Sequence, residues 1–428
     1  MTERLFHFLW QFGYFSHNEL RSAGGELIQI VDRGRYNSNE GPDFLDARIR
    51  IGPALLAGSV ELHLRTSDWD RHRHSGDPNY RNVILHVVYV HDRPTEERHL
   101  PVLELQPHVS TILLDRYAEL LAQEGFIPCE KEALLVPDLL WTSWKDRLLA
   151  ERMLEKTSRI AALLQEARND WEEVFWWLLA RNFGMTVNTD AFEAVARSLQ
   201  LPLLWRHRGS IHQLEALLLG QANLLHGRFS EDYPQLLQRE YRYLQKLHPL
   251  QPVHRAVHFL RMRPPAFPTV RLAQLAALLK GEEHLFSRVL EAKELADVQQ
   301  PFAVTANDYW HYHYRFDEES AYAPKKVGAV LLNSLLTNTL APVVFAYGHL
   351  QARPELKERA LGWLRTLPAE DNKVLRRFAA AGIRAEGAAD GQALLYLEKT
   401  YCREKRCLDC AIGCALLKRE WAPIAGKK

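Results

Sequence analysis

Apolar residues recur at every second position early in this chain and at every third or fourth position later, and the two patterns do not mix. Leu45, Ala47, Ile49 and Ile51 alternate with Asp46, Arg48 and Arg50, and Val60, Leu62 and Leu64 alternate with Glu61, His63 and Arg65. Period two is the signature of a strand with one buried face. Residues 83–90 are almost wholly apolar, as expected of a central strand covered on both faces, and residues 102–106 offer another. Ahead of them Leu5, Phe8, Leu9 and Phe12 recur at helical spacing up to Gly13. The expectation is an α+β domain over residues 1–125, a mixed sheet with flanking helices.

Beyond it the spacing is helical. Helices are expected over residues 141–167, 171–183 with Gly184 as a stop, 214–225 behind a capping box of Ser210 and Gln213, 234–247, and 270–280 with Thr269 as cap. Further ones are expected over 325–347, 354–364 and 391–401. This gives a large all-helical region, residues 126–390, and a C-terminal helix with a four-cysteine segment, residues 391–428. With 428 residues there is room for two or three domains. The 47% apolar and 25% charged content argues against disorder and against a fibrous repeat. A net charge of +1 excludes a global polybasic signal, so any nucleic-acid contact must come from local patches.

The first residues do not read as a signal peptide, and a cytoplasmic location is expected. Residues 327–348 carry no charge and are nearly long enough to span a bilayer. Asn333, Ser334, Thr337, Asn338, Thr339 and Pro342 lie within them, and polar groups need partners that lipid does not supply. A buried core helix is expected there, and no membrane partner.

Two stretches carry chemistry. In the first, Asp43 follows the Gly41-Pro42 turn, and Glu61 and His63 share one strand face because side chains two apart point the same way. Two carboxylates converging from neighbouring strands can hold Mg²⁺ or Mn²⁺, and such an ion activates water against a phosphodiester. Asp46 is a competing ligand on the polar face of its own strand, and Glu19 is a candidate from the first helical region. Arg71, His72, Arg73 and His74 follow closely. His72 and His74 can join His63 on one ion, a set suited to Mn²⁺ or Zn²⁺, and Arg71 and Arg73 suit a phosphate-bearing substrate. The bland alternative is a solvated sheet face beside a turn. His86, within the apolar strand, reads as a hydrogen-bonded core residue.

Pro42-Asp43 and Glu61-Leu62-His63 resemble the two halves of the motif of the PD-(D/E)XK nuclease superfamily, over roughly residues 1–110. The resemblance implies a restriction-endonuclease-like core of a helix, a strand meander, a helix and a further strand, with Asp43 and Glu61 as metal ligands and His63 in the catalytic set. His63 stands where that superfamily places lysine. Histidine can act as a base near neutral pH or ligate a transition metal, whereas lysine supplies a fixed charge.

In the second stretch Cys402, Cys407, Cys410 and Cys414 follow the spacing C-x4-C-x2-C-x3-C. Thiolates this close suit tetrahedral Zn²⁺ or a [4Fe–4S] cluster. Arg403, Lys405 and Arg406 between them would form a positive loop for a phosphate backbone, or a solvated face. Cys129 is distant and reads as incidental. Over nearly its whole length, through residues 39–44, 58–69, 83–88, 214–225, 261–279 and 401–413, the chain also resembles a bacterial family called domain of unknown function two-eight-five-one. That resemblance implies no activity. The expected function is a metal-dependent nuclease-like hydrolase on DNA or RNA; the alternative is a nucleic-acid- or protein-binding scaffold with an inactive nuclease-like domain and a structural metal.

Overall fold

The computed structural model describes residues 1–37, 39–72, 74–93, 100–259 and 266–418. They form two compact units, residues 1–141 with 398–428, and residues 142–397. The expected segments 1–125, 126–390 and 391–428 thus regroup, with the cysteine segment belonging to the same unit as the sheet.

The first unit opens with α1 (Glu3–Phe12), capped by the Thr2 side chain and closed by Gly13 in the left-handed conformation. Leu5, Phe6, Phe8, Leu9 and Trp10 of this helix are buried. The sheet follows as β1 (Ile28–Asp32), β2 (Arg35–Tyr36), β3 (Phe44–Ile51) and β4 (Ala54–Arg65). After α2 (Asp68–Arg71) come β5 (Val83–Val90) and β6 (Val102–Glu104), then α3 (Thr111–Ala122). The strand order is β1-β3-β4-β5-β6, with β2 paired to β3. The β1–β3 and β3–β4 pairs are antiparallel, whereas the β4–β5 and β5–β6 pairs are parallel.

Parallel neighbours need a crossover of a dozen or more residues, and the β4–β5 crossover is built from α2 and two 3-10 turns, His74–Gly76 and Pro78–Tyr80. Gly58 allows β4 to approach that crossover's end. A Cβ there would stand 2.5 Å from the Asn82 carbonyl oxygen, which accepts the Ser59 N–H at 2.8 Å.

One expectation for β4 needs correction. Alternation predicts a half-buried strand, yet Gly58 through His63 are all buried, because β4 is central and covered on both faces. Glu61 and His63 therefore do not line a solvated face.

The second unit is helical, with α4 (Asp138–Glu166) entering it, then α5 (Trp171–Phe183), α6 (Met185–Ser198), α7 (Leu201–His207), α8 (Ile211–Gln221), α9 (Asp232–Leu247), α10 (Pro268–Gly281), α11 (Leu285–Glu291) and α12 (Leu295–Gln299). A small hairpin of β7 (His313–Arg315) and β8 (Glu318–Glu319) precedes α13 (Ala329–Leu335), α14 (Ala341–Leu350), α15 (Pro354–Thr366), α16 (Lys373–Ala380) and α17 (Ala388–Leu397). The chain ends its described course in α18 (Ala411–Lys418), in the first unit.

The Ser210 cap forms as expected, accepting the Gln213 N–H. Thr269 is not a cap: α10 begins at Pro268, and the Thr269 hydroxyl donates to the Tyr314 carbonyl at 2.5 Å. α5 does end at Phe183 with Gly184 as its C-cap, as expected, and α6 starts at the next residue. Residues 329–350 form one continuous helical stretch through a π turn at Leu336–Leu340, and it is the one helix among the described residues long and apolar enough to cross a membrane. It is mostly buried. Around its π turn polar groups have protein partners: Asn182 donates to Thr339 at 2.6 Å, and the Lys156 ammonium donates to the Thr337 carbonyl and Asn338.

Candidate metal centre

Register and crossover together build a cluster of acids and imidazoles beside β4. Glu61 and His63 emerge on the same face, and His86 of β5 stands opposite Glu61 in the parallel register, so its ring emerges there too. Asp43 stands just ahead of β3, where Phe44 pairs with Val60. The backbone ties the two acids together: Asp43 N–H donates to Glu61 Oε2 at 3.1 Å, and Leu62 N–H donates to Asp43 Oδ2 at 3.0 Å.

Two imidazoles approach the other Glu61 oxygen. His74 Nε2 lies 3.3 Å and His63 Nε2 3.6 Å from Glu61 Oε1. His63 Nε2 is 3.1 Å from His72 Nδ1, and His63 Nδ1 is 2.9 Å from His86 Nε2. One ring nitrogen each from His63, His72 and His74 all lie within 4.8 Å of one another. His74 is held flat against the Tyr80 ring, centroids 3.8 Å apart, and Trp69 meets the His63, His74 and His86 rings edge-on or tilted. The His74 Nε2 atom is buried and makes no hydrogen bond, so its short distance to Glu61 is a contact without proper donor geometry.

The electrostatics follow from burial. Glu61 is pushed up to about 8 from its ordinary 4.5, by burial first and then by the charge of Asp43. His63 is pushed down to about 2 and His86 to about 3, by burial and then by neighbouring histidines, and His74 is lowered for the same reasons. Tyr80 is raised to about 12 by burial and then by Glu61 and Asp43. The cluster therefore holds a buried carboxyl beside the neutral imidazoles of His63, His74 and His86. If His63 donates its Nδ1 proton to His86 Nε2, the lone pair of His63 Nε2 is left facing Glu61, His72 and His74.

A family model described as a protein of unknown function (DUF2851) matches residues 3–373. The chain belongs to that family. No curated protein and no solved structure matches it. The matched span of this DUF2851 member holds Asp43, Glu61 and all the clustered histidines, together with Cys129; Cys402 to Cys414 lie beyond it.

Sequence reasoning did not name His7. Its Nε2 is 3.3 Å from Asp43 Oδ2, and Glu3, one helical turn earlier, is close enough to raise Glu61 further. The available signal was an i, i+4 polar pair on an otherwise apolar helix. Asp46 and Glu19 are elsewhere: Asp46 sits at a bulge with positive φ, exposed and paired with Arg35 at 2.6 Å, and Glu19 is exposed. Arg71 is exposed and bridges to Asp68 at 2.9 Å; Arg73 lies outside the described residues.

In the cysteine segment the basic residues are engaged locally. Arg403 binds both Glu398 carboxylate oxygens at 2.9 Å, and Arg406 binds Asp409 at 3.0 Å while lying over the Tyr401 ring. Lys405 donates to the Leu121 carbonyl at 3.1 Å. Burial pushes Cys407 and Cys414 up to about 11 and Cys129 to about 12, with Cys410 raising each, and pushes Cys402 upward as well.

Proposed function

We propose that this protein is a metal-dependent hydrolase that cuts the phosphodiester backbone of DNA or RNA, with its metal held by Glu61, His63, His72 and His74 and with Asp43 beside them. The observation that carries the reading is a set of three imidazole nitrogens within 4.8 Å of one another, with a buried carboxylate oxygen 3.3 Å from His74 Nε2 and 3.6 Å from His63 Nε2, the former making no hydrogen bond. The ion pairs of Glu61 among the described residues are to histidines, which burial keeps neutral; a divalent cation is the charge that would complement it. Three nitrogens and one oxygen suit Mn²⁺, Fe²⁺ or Zn²⁺ better than Mg²⁺, which favours oxygen ligands.

An ion bound there would supply a Lewis acid and lower the pKa of a coordinated water. The protein's own part is positional. His86 orients His63, Tyr80 and Trp69 fix His74, and the Leu62 N–H and His7 hold the Asp43 carboxylate in place. His63 acts as a ligand rather than as a base, because both its ring nitrogens are already directed, one at His86 and one into the cluster.

The choice of a phosphodiester rests on the motif. Asp43 just ahead of β3 and Glu61 on the adjacent β4 come in the order that the PD-(D/E)XK resemblance implies, and the sequence of helix, antiparallel strands, crossover and parallel strand supports the reading.

Purified protein given Mn²⁺, Zn²⁺ or Mg²⁺ should cleave single- or double-stranded DNA or RNA. Glu61→Gln and Asp43→Asn should abolish cleavage, and His63→Lys should abolish metal uptake, since a buried ammonium cannot donate a lone pair. Wild-type-like cleavage by both acid variants would refute the site. Metal binding without cleavage of any of these substrates would favour the scaffold with a structural metal.

A further inference from the structure

Cys129 has no place in the C-x4-C-x2-C-x3-C run, yet the fold sets it against that run. Its turn is closed by hydrogen bonds: the Cys129 carbonyl accepts the N–H groups of Glu132 and Ala133 at 3.0 and 2.8 Å, and Phe126 N–H donates to Glu130 at 2.7 Å. The short helix that follows, Ala133–Leu135, packs against α18, and so does α3. The buried Cys129 thiol is close enough to Cys407 and Cys410 for their charges to act on it, and Cys402 is in the same relation to Cys410, Cys129 and Cys407.

Cys414, by contrast, is committed to the backbone. Its thiol donates to the Leu408 carbonyl at 3.0 Å, and the groups whose charges act on it most are Cys410, Lys418 and Cys407. Close packing shapes the loop. A Cβ at Gly413 would stand 2.3 Å from the Cys407 carbonyl oxygen, so only glycine lets the start of α18 press on the cysteine turn. Arg406 N–H donates to the Tyr401 carbonyl at 2.8 Å and Cys410 N–H to that of Cys407 at 3.3 Å, which fixes the order in which the thiols are presented.

We propose that Cys129, Cys402, Cys407 and Cys410 together ligate one [4Fe–4S] cluster, which clasps the C-terminal segment to the turn at residues 125–135, while Cys414 is not a ligand. Spacing separates this from zinc. A tetrahedral Zn²⁺ with bonds of about 2.3 Å draws its sulfurs to within about 3.8 Å of one another. The set of three ligand atoms within 4.8 Å of one another among the described residues is His63, His72 and His74, and the cysteines do not form such a set. A cubane places an iron at each of four corners, so its thiolates stand further apart than those around a single Zn²⁺.

The test uses the full chain purified without oxygen, with iron, acid-labile sulfide and zinc measured per chain alongside visible absorption and the electron-paramagnetic-resonance spectrum after reduction. Wild type should carry about four irons and four sulfides, the composition of such a cluster. Cys129→Ser should lose most of both, and Cys414→Ser should retain them. Should Cys129→Ser fail to fold, Cys129→Asp offers iron an anionic oxygen and should keep a cluster with an altered resonance spectrum. Stoichiometric zinc without sulfide, a metal-free wild type, a Cys129→Asp spectrum identical to wild type, or loss of iron in Cys414→Ser would each overturn the proposal.

Discussion

Metal binding at the histidine cluster should depend steeply on pH, and Glu61 sets the dependence. In the metal-free protein its carboxyl is pushed up to about 8, so a bound divalent ion must displace a proton at any lower pH. Below that value the apparent association constant should rise tenfold per pH unit, because only the ionised fraction competes for metal; above it the constant should level off. At pH 7 about one molecule in ten has Glu61 ionised, which weakens binding about tenfold, or about 1.4 kcal/mol, relative to the plateau. His63 and His86, pushed down to about 2 and 3, carry no proton in this range and add nothing to the slope. Titration calorimetry with Mn²⁺ between pH 7 and 9, repeated in buffers of different ionisation enthalpy, measures both the constant and the protons released. Glu61→Gln should remove the slope and weaken binding more than tenfold. Asp43→Asn removes a negative charge that raises Glu61, so its breakpoint should move below 8. A pH-independent constant for wild type, or a slope that survives in Glu61→Gln, would refute the assignment of Glu61 as the proton-linked ligand.

In the second unit Glu215 is fully buried, accepts from Tyr233 and Trp310 at 2.8 and 2.9 Å, and is pushed up by burial to about 7 from 4.5. The folded state then holds a proton that the unfolded state has released, so wild-type stability should fall between pH 4.5 and 7 by about 3 kcal/mol; Glu215→Gln should lack that fall when urea unfolding is compared at pH 4.5 and 8, and equal slopes would refute it. Gly220→Ala should destabilise by about 1 to 3 kcal/mol in the same assay, because the new Cβ would stand 2.3 Å from the Tyr241 ring where α8 meets α9; an unchanged midpoint would show that α9 moves aside freely.

Much of this was legible because it is local. Period-two spacing marks β3 and β4, the apolar run marks β5, and Ser210 with Gln213 marks the start of α8, each within a few residues of chain. The gathering of Asp43, Glu61 and His63 also followed from strand parity and one turn. What the sequence could not show depends on neighbours. Alternation in β4 predicted a solvated polar face, and only the crossover that lays His72, His74 and Tyr80 over it turns that face into a buried one. Thr269 sits where a cap is expected, but a partner 45 residues away, Tyr314, takes its hydroxyl. Cys129 is 273 residues from Cys402, so no spacing rule joins them. His7 is likewise a matter of which way α1 lies on the sheet.

That helix also touches both candidate sites, which raises the question of whether they are coupled. His7 meets Asp43, and Arg4 on the same helix pairs with Asp409 in the cysteine turn. A pair as exposed as Arg4–Asp409, 49% and 37% accessible, is worth at most about 1 kcal/mol. Leu5, Phe6, Phe8, Leu9 and Trp10 are buried, and fully burying one such side chain contributes about 1.5 to 3 kcal/mol. The apolar face therefore holds α1 in place several times more firmly than the ion pair does, and His7 should keep its approach to Asp43 when the cysteine turn is loosened. Arg4→Ala should accordingly change Mn²⁺ affinity at the histidine cluster by less than about fivefold, the equivalent of 1 kcal/mol. A larger loss would mean that the helix is held chiefly from its cysteine side and that the two sites act as one.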